Sequence, residues 1–269
     1  MKKIVGFLVL IMAFFTGCTK EEAEELAAID KPVVEAYLIP GQAVNVHVTQ
    51  QVGFGTADTT QVPINDLTIK IISEGTEHVL GFTADGNYVS GSDLKIEAGK
   101  TYALSFTYQG EEVSAETVIP EKPQDFTEST SSFTMPTFDF SSGTRPEFPD
   151  PVKLSWTNPA GEYHLVVVKN TETSPTEVSF GFGGGSTTSA RPIFRNQPDQ
   201  GTSYEINVQN FSYYGHHWVI LYRINPEYAA LYQQSGSNSL NLKNPSTNIK
   251  NGLGIFTGIN TDTLSLTVN

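Results

Sequence analysis

Across 269 residues the chain carries 16 basic and 29 acidic side chains, a formal charge of −13, with 38% hydrophobic residues and a single cysteine. That balance disfavours a nucleic-acid binder, which needs basic patches against phosphate, and a lone cysteine leaves no internal disulfide, so the folded part must rely on core burial. The length suits two ordinary domains of roughly 100–150 residues each.

The chain opens on Lys2 and Lys3, then an apolar run from Ile4 to Phe15, then Thr16-Gly17-Cys18 and an acidic tract beginning Thr19-Lys20-Glu21-Glu22. The run is shorter than the ~20 residues that span a bilayer and has the layout of a signal peptide. Gly17 directly before Cys18 resembles the lipobox of bacterial lipoproteins. The resemblance implies cleavage after residue 17, lipidation of Cys18 and an acidic tether over 18–30. Several acyl chains anchor durably because each buried methylene contributes ~0.8 kcal/mol. Lys20-Glu21-Glu22 resembles the export signal of surface lipoproteins in Bacteroidota, which implies an outer-membrane protein facing the cell exterior. Loss of Lys2 and Lys3 leaves 14 basic residues against 29 acidic ones, a charge of −15.

Residues 31–121 read as one β-sandwich. Val34, Ala36 and Leu38 share a face, Pro40-Gly41 turns the chain, and Val44, Val46 and Val48 alternate with polar neighbours in the period of a half-buried strand. Leu67, Ile69 and Ile71 continue the pattern, Asp85-Gly86 marks a tight turn, and Tyr102, Leu104, Phe106 and Tyr108 alternate into a hairpin closed at Gln109-Gly110. Residues 122–150 turn to Pro, Ser and Thr and lose all period, which predicts a linker whose Phe133, Phe138 and Phe140 dock on a neighbouring surface.

Residues 151–269 read as a second sandwich. Val152, Leu154 and Trp156 form one face and Tyr163, Leu165 and Val167 another; the inward tryptophan before a tyrosine-led strand resembles a fibronectin type III module. The glycines around Gly181 to Gly185 lack the following lysine and helix of a phosphate loop and predict a surface loop. His217 to Tyr222 is apolar on both faces and predicts a central strand. Asn225, Pro226 and Glu227 then start a helix over 226–235, with Tyr228, Leu231 and Tyr232 on one side. The expected fold is all-β: two sandwiches of immunoglobulin, transthyretin or fibronectin type, the second with one short helix.

No residue pattern points to catalysis. His216 and His217 are adjacent and fall on opposite faces of a strand, and His47, His78 and His164 occupy positions read as polar, so no metal set or cofactor is expected. Neither a nucleophile elbow nor a zinc-protease helix occurs. Aromatic residues crowd the stretch from Phe211 to Tyr232. Trp218, Tyr228 and Tyr232 are expected in the core, whereas Tyr213, Tyr214 and His216, in a predicted loop, form the candidate interaction patch. Asp58-Thr59-Thr60 and Asp262-Thr263-Leu264 resemble the O-glycosylation motif of Bacteroidota, at Thr59 and Thr263.

The leader, the opening Val33-Val-Glu-Ala-Tyr37-Leu-Ile-Pro-Gly41, the Glu97-Ala-Gly-Lys-Thr-Tyr102 hairpin and the closing Thr247-Asn-Ile-Lys-Asn-Gly-Leu-Gly-Ile-Phe256 together resemble one Bacteroidota lipoprotein family, a domain of unknown function. The resemblance implies an accessory role beside a TonB-dependent receptor; the exposed aromatics add a glycan or small nutrient as the expected ligand, while the missing catalytic patterns and the acidic charge argue for no enzymatic activity and no nucleic acid. A free-standing adhesin or envelope-structural lipoprotein is the alternative expectation.

Overall fold

The computed structural model describes residues 30–52, 60–136, 147–178, 191–233 and 246–269. The leader with Cys18, the Lys20-Glu21-Glu22 signal, Thr59, the linker phenylalanines Phe138 and Phe140 and the glycine-rich loop all lie outside them. Within them the chain is all-β, with one α-helix and one 3-10 turn at Val208–Asn210.

In the first sandwich, β1 (Pro32–Leu38), β2 (Asn45–Gln50), β5 (Gly81–Phe82) and β6 (Asn87–Val89) form one layer. The other comprises β3 (Lys70–Ser73), β4 (Thr76–Val79), β7 (Thr101–Tyr108) and β8 (Glu111–Val118), in the order β4-β3-β7-β8. The alternation read from the sequence holds: Val34, Ala36, Leu38, Val46 and Val48 meet Ile71, Leu104 and Phe106 in one core. The two largest core side chains keep their hydroxyls bonded, as burial demands. Tyr88 Oη donates to Ile64 O at 2.9 Å and accepts from Leu67 N at 3.1 Å. Tyr102 Oη donates to Lys95 O at 2.8 Å and accepts from Glu97 N at 3.0 Å. Each ring thus pins a strandless segment to the core. The β7–β8 hairpin turns through Gln109 and Gly110 at φ 49° and 86°, the left-handed pair of a primed turn.

In the second sandwich, β12 (Tyr163–Asn170), β13 (Ile193–Arg195) and β15 (Gly215–Ile224) face a three-stranded layer ordered β14-β11-β9. Those three strands are β9 (Gln124–Glu128), β11 (Val152–Thr157) and β14 (Ser203–Ile206). Strand β15 is central, as its apolar faces predict, and Trp156 points inward at 5% exposure. The expected linker 122–150 is corrected in part. It contributes β9, which pairs with β11, and β10 (Ser132–Phe133). Only Phe126 and Phe133 of these strands face a core, so short edge strands with one inward residue each leave no readable period. Phe133 docks as expected, its ring 5.1 Å from that of Phe211.

The last strand, β16 (Leu253–Val268), belongs to both sandwiches. Its first part runs parallel to β1, from Val33↔Leu253 to Leu38↔Gly258, and its second part antiparallel to β15, from Ile224↔Ile259 to Gly215↔Val268. One nine-stranded sheet therefore passes through the whole body. The expected assignment of all of 151–269 to the second sandwich is corrected accordingly: Ile249 and Phe256 lie in the first core.

Helix α1 (Pro226–Gln233) starts where expected, and the last two of the expected positions 226–235 lie outside the described residues. Asn225 accepts at its carbonyl from Tyr228 N and Ala229 N, but its side chain is used elsewhere. Its Nδ2 donates to Thr117 Oγ1 and to Val118 O, both at 2.9 Å, in the first sandwich. Thr117, 4% exposed, is the centre of a junction between the halves. Its hydroxyl accepts from Asn225 Nδ2 and from Gly258 N (2.9 Å) and donates to Glu227 Oε1 (3.2 Å), which fills its bonding capacity. The buried Thr257 donates to the same carboxylate oxygen at 2.9 Å. Asn260 Nδ2 to Pro120 O (2.9 Å) and the Lys122–Asp262 ion pair (2.9 Å) close the remaining edge.

Candidate functional site

The three patch residues sit where β15 begins. Tyr213 bridges Glu177, and Tyr214 N donates to Thr176 O at 2.9 Å, so the predicted loop is laced to a neighbouring segment. Tyr214 packs against the second core and is half-buried, as is Tyr213. Gly215, at φ +94°, then lets the chain pass Glu172 into the strand, and Glu172 Oε1 accepts from His216 N at 2.9 Å.

From there alternation separates the two histidines, as their adjacency predicts. His216 is exposed, with Nδ1 3.1 Å from Thr267 Oγ1. His217 is 3% exposed, its ring edge-on to Phe211 at 5.1 Å, Nδ1 facing Gly215 O at 3.0 Å and Nε2 facing Asn170 Nδ2 at 3.2 Å. Because Asn170 Nδ2 is a donor, Nε2 accepts and the proton sits on Nδ1. Burial pushes the pKa of His217 down, against a smaller upward pull from the Gly215 carbonyl. The polar-face reading of His164 is corrected: it is 2% exposed, 5.6 Å from the Trp156 ring, and burial lowers its pKa too. His47 and His78 are half-buried, and His78 Nδ1 pairs with Asp93 at 2.6 Å.

The expected burial of Trp218 is also corrected. It is 51% exposed, on the outward face of the sheet formed by β13, β12, β15 and β16. The register lays this face out in rows. Ile193, Lys169, Trp218 and Ser265 make one; Arg195, Val167, Ile220 and Thr263 make the next; His216, Thr267 and Ser132 make a third beyond Trp218. Neighbouring strands lie about 4.8 Å apart, so each row is a near-continuous line of side chains. Further along, α1 covers Leu165, Ile224 and Ile259 with Ala229, Tyr228 and Tyr232, and Tyr37 joins them edge-on to Tyr228 at 5.6 Å. Tyr228 and Tyr232 are thus packed, as expected, on the face opposite the main core. Burial pushes Tyr37 up to about 12, with Glu35 adding to it, and raises Tyr228 further. The helix stops short of Trp218, which explains why an apolar outward strand face ends in an exposed indole.

Among the described residues that the register places on this outward face no acid occurs, since Asp262 of β16 alternates to the other face and pairs with Lys122, while Lys169 and Arg195 project from it. Arg195 is partly engaged, its guanidinium 5.5 Å above the Tyr232 ring. Neither Trp218 nor Lys169 stood out as a site residue in the sequence, because only the pairing of β12 with β15 sets them side by side. Thr263, exposed, stands on the same face.

Two concavities elsewhere are less suited to a ligand. An open groove of about 650 Å³ includes Lys70, Ser105 and Glu112, but Lys70 is paired with Glu77 (2.7 Å) and Ser105 with Glu112 (3.3 Å). A cleft of about 160 Å³ beside Glu227 and Asn248 borders the junction already described. Among the described residues no group of three or more His, Cys, Asp or Glu could hold a metal, and no helix is long and apolar enough to cross a membrane.

Comparison with solved structures returns a two-domain fibronectin type III segment of chicken tenascin, at 12% identity and TM-score 0.22, covering 73% of this chain and 92% of that one. It also returns the adhesin InvE of Yersinia pseudotuberculosis, at 14% identity and TM-score 0.23, covering 88% of this chain and 58% of that one. No curated protein matches the sequence. A family profile, the domain of unknown function DUF4249, matches residues 22–265. The chain belongs to that family.

Proposed function

We propose that this protein is a lipid-anchored lipoprotein of the outer membrane, displayed outward, that serves as a non-catalytic accessory and binding subunit of a TonB-dependent receptor in nutrient uptake. The observation that carries the binding role is the outward face around Trp218: a 51% exposed indole among hydroxyl and basic side chains, held on a central strand. An exposed indole offers a flat apolar face and an N–H donor to a ligand. The anchor rests on the Gly17-Cys18 lipobox and outward display on Lys20-Glu21-Glu22. A tether of charged residues gives reach, and a body whose halves share β16 presents its surface in one orientation.

The test is a gentle-detergent pull-down of the lipidated protein from native outer membranes. Recovery of a TonB-dependent receptor in comparable amount supports the subunit reading. Recovery of the protein alone, with Cys18 acylated, overturns it in favour of a free-standing adhesin or structural lipoprotein.

A further inference from the structure

The geometry points to the Trp218 face as a binding platform for an acidic polysaccharide lying flat across the sheet. The inference deepens the reading of the chain as a displayed binding subunit and rests on it for access to such a polymer.

Three observations converge on this chemistry. The first is charge. A chain of net charge −13 carries no carboxylate on the described part of this face, yet projects Lys169 and Arg195 from it, with the His216 ring beside them. At its rim Glu172 is turned to the His216 backbone amide, and Asp262, on the opposite face of β16, is paired with Lys122. Such local asymmetry against the overall sign favours an anionic partner. The second is the indole itself. Trp218 offers an apolar face and an N–H donor, the combination that suits the C–H face and hydroxyl rim of a sugar ring. The third is the surroundings: Thr263, Ser265 and Thr267 alternate along β16 on this face, Ser265 paired with Trp218 and the other two with the flanking Ile220 and His216, supplying donors and acceptors on both sides of the indole.

A protein partner fits less well. Trp218 and Ile193 are the only large hydrophobic residues of the described face exposed beyond a third of their surface. A specific protein interface buries about 800 Å² per partner around an apolar core, more than two such side chains supply.

The experiment uses the full-length lipidated protein in detergent and, as probes, polygalacturonate, alginate and hyaluronan, with dextran as the neutral control. Binding is read by retardation in polysaccharide-containing native gels and by tryptophan fluorescence. The chain has two tryptophans, and Trp156 is 5% exposed, so a ligand-dependent spectral change reports Trp218. We expect retardation by at least one acidic polymer, weakened by salt as exposed charges are screened. Trp218→Ala and Lys169→Glu should each lower affinity about tenfold, the loss expected for one ring face or one charge. Both positions are exposed, so the variants should retain the wild-type circular dichroism spectrum. No retardation by any acidic polymer, equal retardation by dextran, or equal affinity of wild type and Trp218→Ala would each overturn the inference. So would loss of receptor co-purification in Trp218→Ala without any polysaccharide binding, because the face would then be a protein contact. Failure here with the receptor still recovered leaves the subunit reading standing; polysaccharide binding without a receptor removes only that reading.

Discussion

Thr117 shows how one side chain can decide a junction. Its hydroxyl makes three hydrogen bonds, to Asn225, Gly258 and Glu227, and none of the three partners belongs to its own sandwich layer. Valine has the same shape but would strand the Gly258 N–H in a buried site and leave Asn225 Nδ2 with Val118 O alone. Thr117→Val should therefore cost about 2–3 kcal/mol in urea unfolding, the upper range for leaving buried polar groups unpaired; a cost under ~0.5 kcal/mol would show that water replaces the hydroxyl. The buried histidines act through pH. Burial lowers the folded pKa of His164 and His217 below the ordinary histidine value of 6.5, so the unfolded chain binds protons that the folded one does not. Their contribution is fully present above 6.5 and is lost as pH falls below it, until the folded values are passed. Urea midpoints should thus decline on acidification from pH 7 toward pH 5, and His217→Gln should flatten that decline. Burial raises Glu128 from 4.5, which gives the opposite slope above that value, so the series is best run in a Glu128→Gln background. A midpoint that rises on acidification in that background would contradict the assignment.

At the scale of elements, what the sequence made legible followed from side-chain period. β1, β2, β7 and β11 each show a buried residue at every second place, and their existence and faces could be read directly. β9 and β10 could not, because each buries a single residue. Nor could the pairing of β1 with β16, since nothing in Val33 to Leu38 names a partner more than 200 positions away. Trp218 was misread for a related reason: both faces of β15 are apolar, but α1 covers the outward one only from Tyr222 onward. His164 was misread as polar because its ring can be buried once it packs, tilted, against Trp156. The glycines of β16 make its dual role testable. At Gly254, φ is +93° and an added Cβ would lie 2.0 Å from Val34 O, across the parallel pairing with β1. Gly41, at φ +76°, has nothing within 4 Å of the same position. Gly41→Ala should cost about 1–2 kcal/mol for its left-handed backbone alone, whereas Gly254→Ala adds a backbone clash and should cost clearly more or prevent folding. Equal shifts in thermal midpoint would mean that β1 and β16 separate freely.

On the scale of the whole molecule, β16 turns two sandwiches into one body. The first core is completed by Ile249 and Phe256, and the second by Leu266 and Val268, a few strand residues further along. Between them lie the Thr117 junction and the Asn260 and Lys122 contacts, so separating the halves means breaking a continuous sheet as well as buried hydrogen bonds. A body joined at its middle by a continuous sheet would hold the Trp218 face in one orientation relative to the first sandwich.

The measurement that tests this most directly is amide hydrogen exchange followed by mass spectrometry at increasing urea, comparing peptides from β7 in the first sandwich with peptides from β12 in the second. If β16 joins the halves into a single cooperative unit, both converge on one opening free energy and one urea dependence. Opening of one sandwich while the other keeps its protection would contradict it, and would make β16 a connector between independent modules.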